Sequence, residues 1–261
     1  MRSSIAVALL ALTALVTVAP QSAAQSTTSW QWSGTLGAGR TVYVRNVNGA
    51  IRVTPGTGRT VEVVATKRAR RGDADAVRIE ARMAGTGNGD VLICALWGPD
   101  ARCDESSYRG GSNRRGTDVS VELVVKVPAD AKVTASTVNG SLELTDIGGD
   151  VEAATVNGSV TARSLKGRVN ASTVNGSIKA QGAAVGEGVR YTSVNGSITI
   201  TLPESTGAEL DLSTVNGRIT TEHPVTLDGT ISRRRVKATM GKGGPTIRAS
   251  TVNGSVTVKK G

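Results

Sequence analysis

The stretch STVNGSI at residues 172–178 contains the motif that decides the fold, because Val-Asn-Gly occurs seven times in this chain of 261 residues. The spacings between successive copies are 91, 18, 18, 20, 21 and 37 residues. Self-similarity at a nearly fixed period predicts a stacked repeat architecture. The asparagines of the seven copies are Asn48, Asn139, Asn157, Asn175, Asn195, Asn216 and Asn253.

Each period is predicted to contain two short strands, since Gly148 and Gly149, and later Gly167, fall halfway between neighbouring copies. Two all-β architectures fit this pattern. In the first, each period is one coil of a β-solenoid, with 18–21 residues per coil. In the second, each Asn-Gly is the turn of a hairpin in an antiparallel meander that rolls up. We favour the solenoid, because coils of equal length place asparagine over asparagine in an amide ladder.

The solenoid hypothesis carries four further expectations. Glycine supplies a positive φ at the corner, and a thin interior explains why the chain has no Phe and only three Trp and three Tyr. The span from Asn48 to Asn253 corresponds to about eleven coils, counting the long gaps as degenerate copies. Such a rod is about 50 Å long at the usual strand spacing.

The N-terminus resembles an export signal over residues 1–24, with Arg2 followed by an apolar run at residues 5–18 and then small residues. That run is shorter than the roughly 20 residues of a spanning helix. We expect residues 25–261 to form one β-strand-repeat domain without a transmembrane segment. The expected location is the periplasm, the cell envelope or the medium.

The formal net charge of +10 favours anionic partners such as an envelope polysaccharide or lipid, with another envelope protein as a further option. The alternative is a merely solvated basic surface. Nucleic acid is not expected, because few aromatic side chains are available for base stacking. The oligomeric state does not follow from the sequence.

A polar insertion is predicted at residues 67–118, where the repeat is interrupted. Loops that interrupt a solenoid are frequent recognition sites, and covering a coil edge is the alternative role. Cys94 and Cys103 are predicted to form a disulfide in an exported protein. The candidate contacts for an anionic ligand lie here and in a second basic loop: Lys67, Arg68, Arg70, Arg71, Arg114, Arg115, Arg233, Arg234 and Arg235.

No catalytic, cofactor or metal site is predicted. His223 is the single histidine, and the residue after Asn-Gly is never the Asp of calcium-binding repeats. The enzyme alternative is a polysaccharide lyase or hydrolase, for which charged side chains must align on adjacent coils. The candidates for that alignment are Asp146, Asp150, Glu152, Lys166 and Arg168.

Several segments together resemble the bacterial "putative adhesin" family of β-strand-repeat proteins. These are NVNGAIRV (46–53), VEVVATKRAR (61–70), the segment from Cys94 to Cys103, VELVVKVPADAKVTASTVNGSLEL (121–144) and GKGGPTIRASTVNGSVTV (241–258). The resemblance implies an exported, solenoid-like protein and brings no catalytic residues. Our leading hypothesis is a non-catalytic interaction scaffold of the envelope or cell surface.

Overall fold

The computed structural model describes residues 26–84, 89–111, 118–182, 188–228, 232 and 234–261. These residues form β-strands and one short 3₁₀ helix, Ala74–Ala76. No helix within these ranges is both long and apolar enough to span a bilayer. The predicted signal at residues 1–24 lies outside the described ranges and stays a prediction.

The chain contributes its strands in two groups. The first group is β1 (Ser26–Thr35), β2 (Thr41–Arg45), β3 (Ile51–Pro55), β4 (Thr60–Arg71), β5 (Val77–Ala84), β6 (Asp90–Trp97), β7 (Arg102–Cys103), β8 (Tyr108–Arg109) and β9 (Asp118–Val127). The second group is β10 (Lys132–Asn139), β11 (Leu142–Thr145), β12 (Val151–Asn157), β13 (Val160–Arg163), β14 (Val169–Asn175), β15 (Ile178–Gln181), β16 (Val189–Asn195), β17 (Ile198–Leu202), β18 (Ala208–Asn216), β19 (Ile219–Thr221), β20 (Val225–Leu227), β21 (Arg235–Met240), β22 (Thr246–Asn253) and β23 (Val256–Lys260).

The predicted β-solenoid is confirmed. Within a repeat, a longer strand ends on the Asn of Val-Asn-Gly and a shorter strand begins after the corner, as in β14 and β15. Like strands of adjacent coils pair in parallel, so that Val151 lies opposite Val169 and Asn157 opposite Asn175. The antiparallel hairpins of the alternative architecture do not occur at these corners.

Two main sheets result, which we name by their strands, and β7 and β8 form a separate two-stranded sheet. The long-strand sheet has the order β20-β21-β18-β22-β16-β14-β12-β10-β2-β6-β5, and the short-strand sheet has the order β1-β4-β9-β3-β11-β13-β15-β17-β23-β19. Their inward-facing Val, Ile, Leu and Ala side chains form one continuous buried core. The core therefore runs along the whole stack, between the two sheets.

The expectation of about eleven consecutive coils is wrong. The Asn48 coil stacks directly on the Asn139 coil, so the gap of 91 residues adds no Asn-Gly coil between them. The Asn253 coil lies between the coils of Asn195 and Asn216. Spacing revealed the period but not the order of the coils. The stack is still about 50 Å long, because the long-strand sheet has eleven strands.

Each residue of the repeated motif has its own structural role, as the coil that contains residues 172–178 shows. Thr173 points inward and its hydroxyl donates to the carbonyl of Gly158 on the neighbouring coil (2.8 Å). Val174 points outward and is 39% exposed. The equivalent valines, 37–50% exposed, form a row along the stack: Val138, Val156, Val174, Val194, Val252 and Val215.

The corner glycine is required for a different reason than the one predicted. Among the seven corner glycines only Gly49 has a positive φ. A Cβ on Gly176 would instead lie 1.9 Å from the carbonyl oxygen of Gly158, and a Cβ on Gly158 would lie 1.9 Å from that of Gly140. The coils approach so closely that no side chain fits between them at this position.

The corner asparagines form the predicted kind of amide ladder from the Asn139 coil to the Asn216 coil. Asn175 donates from Nδ2 to Oδ1 of Asn157 and accepts from Nδ2 of Asn195, both at 2.8 Å. At the end of the ladder Asn48 donates to the backbone carbonyl of Val119 instead (2.8 Å). The ladder lies on the exposed surface.

Replacing Asn175 with leucine should lower the free energy of unfolding by about 1–2 kcal/mol, because two exposed hydrogen bonds are lost. Urea unfolding followed by circular dichroism measures this change. Asn170 is exposed on the same strand and outside the ladder, so Asn170→Leu is the matched control and should change stability little. Equal effects of the two substitutions would contradict a stabilising role for the ladder.

The interior is wide enough for an aromatic ring, so the expectation that a thin interior excludes Phe is wrong. Tyr191 is fully buried and lies at the register position that Ala171 occupies on the neighbouring coil. Burial raises the pKa of its hydroxyl, and that hydroxyl has no hydrogen-bond partner among the residues that the structure describes. A thin core therefore does not account for the missing Phe.

The N-terminal end of the stack is closed by a structure that we call the cap, made of β1, β4, β5, β6, β9 and the segments between β4 and β9. Its strand pairs β1–β4, β4–β9 and β5–β6 are antiparallel. The described residues of the predicted insertion at 67–118 lie in the cap. It is less polar than expected, because β6 is buried on both faces.

The predicted disulfide between Cys94 and Cys103 is confirmed. It joins β6 to the segment that follows it, on the outer face of the long-strand sheet. There it belongs to a small second core with Leu92, Leu96 and Ala101. The disulfide therefore fastens residues 98–111 to β6.

Candidate ligand-binding cleft

The predicted basic residues do not form one surface. Lys67, Arg68 and Arg70 lie on β4, where alternation turns Lys67 towards the interior and the two arginines outward. Arg71 follows a bulge and is exposed. Arg234 and Arg235 lie near the opposite end of the stack, on or beside β21, and Arg114, Arg115 and Arg233 lie outside the described residues.

A cleft of about 650 Å³ lies in the cap, between the edge of the short-strand sheet and the edge of the long-strand sheet. Trp30 of β1 and Trp97 of β6 line it, and both rings are partly buried against the core. The remaining lining residues are Lys67, Asp73, Asp75, Ala76, Val77, Arg78, Ile79, Gly98 and Pro99.

Strand alternation and one hydrogen bond place the two tryptophans. Trp30 lies opposite the buried Ala65 and therefore faces inward. Trp97 ends β6, and its backbone N–H donates to the hydroxyl of Tyr108 (3.1 Å). Burial raises the pKa of Tyr108, so this hydroxyl stays neutral. The segment fastened by the disulfide thus fixes the position of Trp97.

The charged groups of the cleft are held by local bonds. Lys67, whose side chain is 11% exposed, contacts Asp75 at 2.8 Å and donates to the carbonyl of Val77. The hydrogen bond from Lys67 lowers the pKa of Asp75. Asp73 caps the 3₁₀ helix by accepting from the N–H of Asp75. Both carboxylates therefore have structural partners.

The arrangement suits binding better than acid–base chemistry. Two aromatic faces offer apolar contact, and the partnered ions around them offer donors and acceptors in fixed positions, as in typical small-molecule sites. Among the described residues, no group of three or more His, Cys, Asp and Glu is arranged to hold a metal ion.

The residues of the enzyme alternative lie elsewhere, on the corners and outer faces of the coils around β11 to β14. Asp150 accepts a hydrogen bond from the backbone N–H of Arg168 (3.0 Å), and Asp146 has a left-handed backbone conformation, with φ of 53°. The carboxylate of Asp150 thus links two coil corners and does not face the cleft.

Sequence reasoning missed Trp30 and Trp97, although a signal was present. The chain has only three tryptophans, at 30, 32 and 97, and all three precede the closely spaced copies that begin at Asn139. In a protein with so few aromatic residues, such clustering outside the repeats marks a distinct surface.

Comparison with protein-family models places the chain in a known family. A family model described as Toastrack DUF4097 matches residues 39–259. No curated protein matches the chain significantly.

Solved structures similar to this chain share little sequence with it. A "putative cell adhesion protein" from Clostridium sporogenes is 12% identical, with a TM-score of 0.47 over 90% of this chain and 100% of that one. A "putative adhesin" from Bacteroides fragilis is 15% identical, with a TM-score of 0.39 over 89% and 97%. A "putative lipid binding protein" from Parabacteroides distasonis is 9% identical, with a TM-score of 0.28 over 88% and 96%.

Proposed function

This chain belongs to the Toastrack DUF4097 family, and from that premise we propose that it is a non-catalytic scaffold of the bacterial cell envelope that binds an anionic polysaccharide in the cap cleft. The solenoid holds the cleft at one end of a rigid stack. The observation that carries the proposal is the pairing of Trp30 and Trp97 in one cleft.

The chemistry of the cleft favours a sugar ring as ligand. The faces of a sugar ring carry C–H groups that pack on an aromatic side chain, and the hydroxyl groups at its edge need donors and acceptors. Trp30 and Trp97 supply the aromatic surface. Lys67, Asp73 and Arg78 supply polar groups around it.

Three exposed arginines of β4, whose side chains do not line the cleft, favour an anionic polymer over a neutral one. Arg68, Arg70 and Arg71 are exposed on the strand that carries Lys67 into the cleft. Within the described part of the chain none of the three makes an ion pair. A chain with repeated carboxylates that leaves the cleft and continues around the sheet edge onto the outer face of β4 would contact these arginines, and its binding would weaken with salt.

Tryptophan fluorescence can test the proposal, because every tryptophan of the protein lies in the cap. Oligogalacturonate, which carries one carboxylate per sugar, should change the emission in a saturable way, and neutral dextran oligomers should bind more weakly. Trp97→Ala should lower the affinity for oligogalacturonate at least about tenfold, since it removes one aromatic wall. The emission of this variant comes from Trp30 and Trp32.

Two triple variants test how much the three arginines contribute to binding. Exchanging Arg68, Arg70 and Arg71 for serine should weaken oligogalacturonate binding and reduce its dependence on salt. Exchanging the exposed Lys166, Arg190 and Arg234 of the solenoid for serine removes equal charge far from the cleft and should change binding little. Equal losses in both triple variants would indicate only a general attraction to a basic protein.

Two results would contradict the proposal. One is unchanged fluorescence with both saccharides. The other is release of new reducing or unsaturated ends from oligogalacturonate, abolished by Asp146→Asn or Asp150→Asn, which would support the enzyme alternative. Export is tested separately by N-terminal sequencing of the protein from the cell envelope or medium, where Gln25 is the expected first residue.

A further inference from the structure

The two main sheets have four edge strands, and three of them are protected against pairing with another chain. β19 and β20 contain three residues each. β5 is longer but carries Arg78, Glu80 and Arg82. Short length and charged side chains are the usual means of blocking an edge.

β1 has none of these protections. It is ten residues long, STTSWQWSGT, without a charged residue and without proline. It pairs with β4 on one side and ends the short-strand sheet on the other. Its outer edge therefore presents a long row of backbone donors and acceptors for a further strand.

The position of β1 leaves room for that strand. Beyond the first coil, formed by β2 and β3, the short-strand sheet continues for three strands, β9, β4 and β1, whereas the long-strand sheet continues for two. β1 therefore extends one strand further, about 4.8 Å, than the opposite edge. A strand added to β1 meets no long-strand edge at the same level.

We propose that β1 pairs with β1 of a second copy of this chain, in an antiparallel arrangement about a two-fold axis through Gln31. Directly opposed residues of an antiparallel pair lie on the same face. With Gln31 on the axis, residues 27–35 of the two copies pair, and Trp30 of one copy lies opposite Trp32 of the other.

A second copy suits this edge better than an unrelated strand. The uncharged sequence of β1 creates no like-charge repulsion when it faces itself. The two-fold register forms two Trp–Trp cross-strand pairs, which are among the more favourable side-chain pairs in sheets. Two-fold dimers are also the commonest closed assemblies.

The dimer would join the two ten-stranded sheets into one and bring the two cap clefts to the same side. The two β5 edges would be separated by about three strand spacings, roughly 14 Å. The groove between them would be lined by the Trp30 and Trp32 side chains of both copies. This inference rests on the sheet edges, so its failure would leave the saccharide proposal unaffected.

Light scattering after size exclusion, over a range of protein concentrations, tests the proposal. The purified protein should show twice the mass of one chain. Gln31 is exposed on the outer face of β1, away from the cleft. Gln31→Lys should raise the dissociation constant of the dimer at least about tenfold, because two lysines would meet at the axis.

Thr220→Lys is the matched control, since it adds the same charge to β19 at the opposite edge of the same sheet. It should leave the dimer unchanged. Gln31→Cys should give a covalent dimer on a non-reducing gel after mild oxidation, and Thr220→Cys should not. Cys94 and Cys103 are already paired and do not interfere.

Two outcomes would overturn the proposal. The protein could stay monomeric at every concentration, with no covalent dimer from Gln31→Cys. A dimer could also persist in Gln31→Lys and disappear in Val174→Lys, which would place the interface on the exposed valine row.

Discussion

Gly176→Ala should lower the free energy of unfolding by about 3 kcal/mol or more, the largest effect that we expect from one added methyl group in this protein. The new Cβ would lie 1.9 Å from the carbonyl oxygen of Gly158. That oxygen also accepts the hydroxyl of Thr173 (2.8 Å). The two coils would have to separate, and the hydrogen bonds of the corner would weaken with them.

Urea unfolding followed by circular dichroism measures the loss. Gly110→Ala is the control, because the atom nearest to its added Cβ is Cε1 of Tyr108 at 3.9 Å and the backbone there needs no positive φ. It should change stability by no more than about 0.5 kcal/mol. If Gly176→Ala is as stable as Gly110→Ala, close approach of the coils is not the reason for the corner glycine.

Removing the disulfide by Cys94→Ala together with Cys103→Ala should lower the free energy of unfolding by roughly 2–3 kcal/mol. The bond closes a loop with a sequence separation of nine, and its loss returns conformational freedom to the unfolded chain. The same variant should bind oligogalacturonate more weakly, because residues 98–111 carry Tyr108, the hydrogen-bond partner of Trp97.

Reduced wild-type protein provides the comparison for this experiment. A reducing agent should lower the stability of the wild type to that of the double variant and leave the double variant unchanged. If the oxidised wild type and the double variant unfold at the same urea concentration, the disulfide does not stabilise the cap.

The coil could be predicted from the sequence because each of its residues repeats a local requirement. Thr173 is buried, Val174 is exposed and Asn175 joins the ladder. This alternation and the spacing of the copies can be read directly from the sequence. The reason for Gly176 was not visible, because the atom that excludes a side chain belongs to a neighbouring coil. A local rule about φ gave the right residue for the wrong reason.

The order of the coils and the cleft escaped prediction because both depend on contacts between distant segments. Nothing in the period of Val-Asn-Gly indicates that β22 pairs with both β16 and β18. Trp30 and Trp97 line one cleft only because the cap strands β1 and β6 belong to the two sheets beyond the first coil. The basic sequence at 67–71 suggested one patch, but alternation along β4 divides it between two faces.

The placement of β22 and β23 has a consequence for how the molecule is completed. These strands are the last in the sequence, after all the other coils, yet they lie between the coils of Asn195 and Asn216. A nascent polypeptide emerges from the ribosome N-terminus first, so the layer that joins these coils is delivered after both of them. A chain that ends before β22 would lack a coil in the middle of its stack, not at its end. The strands on either side of the missing coil would then have unpaired edges, which quality-control proteases could recognise.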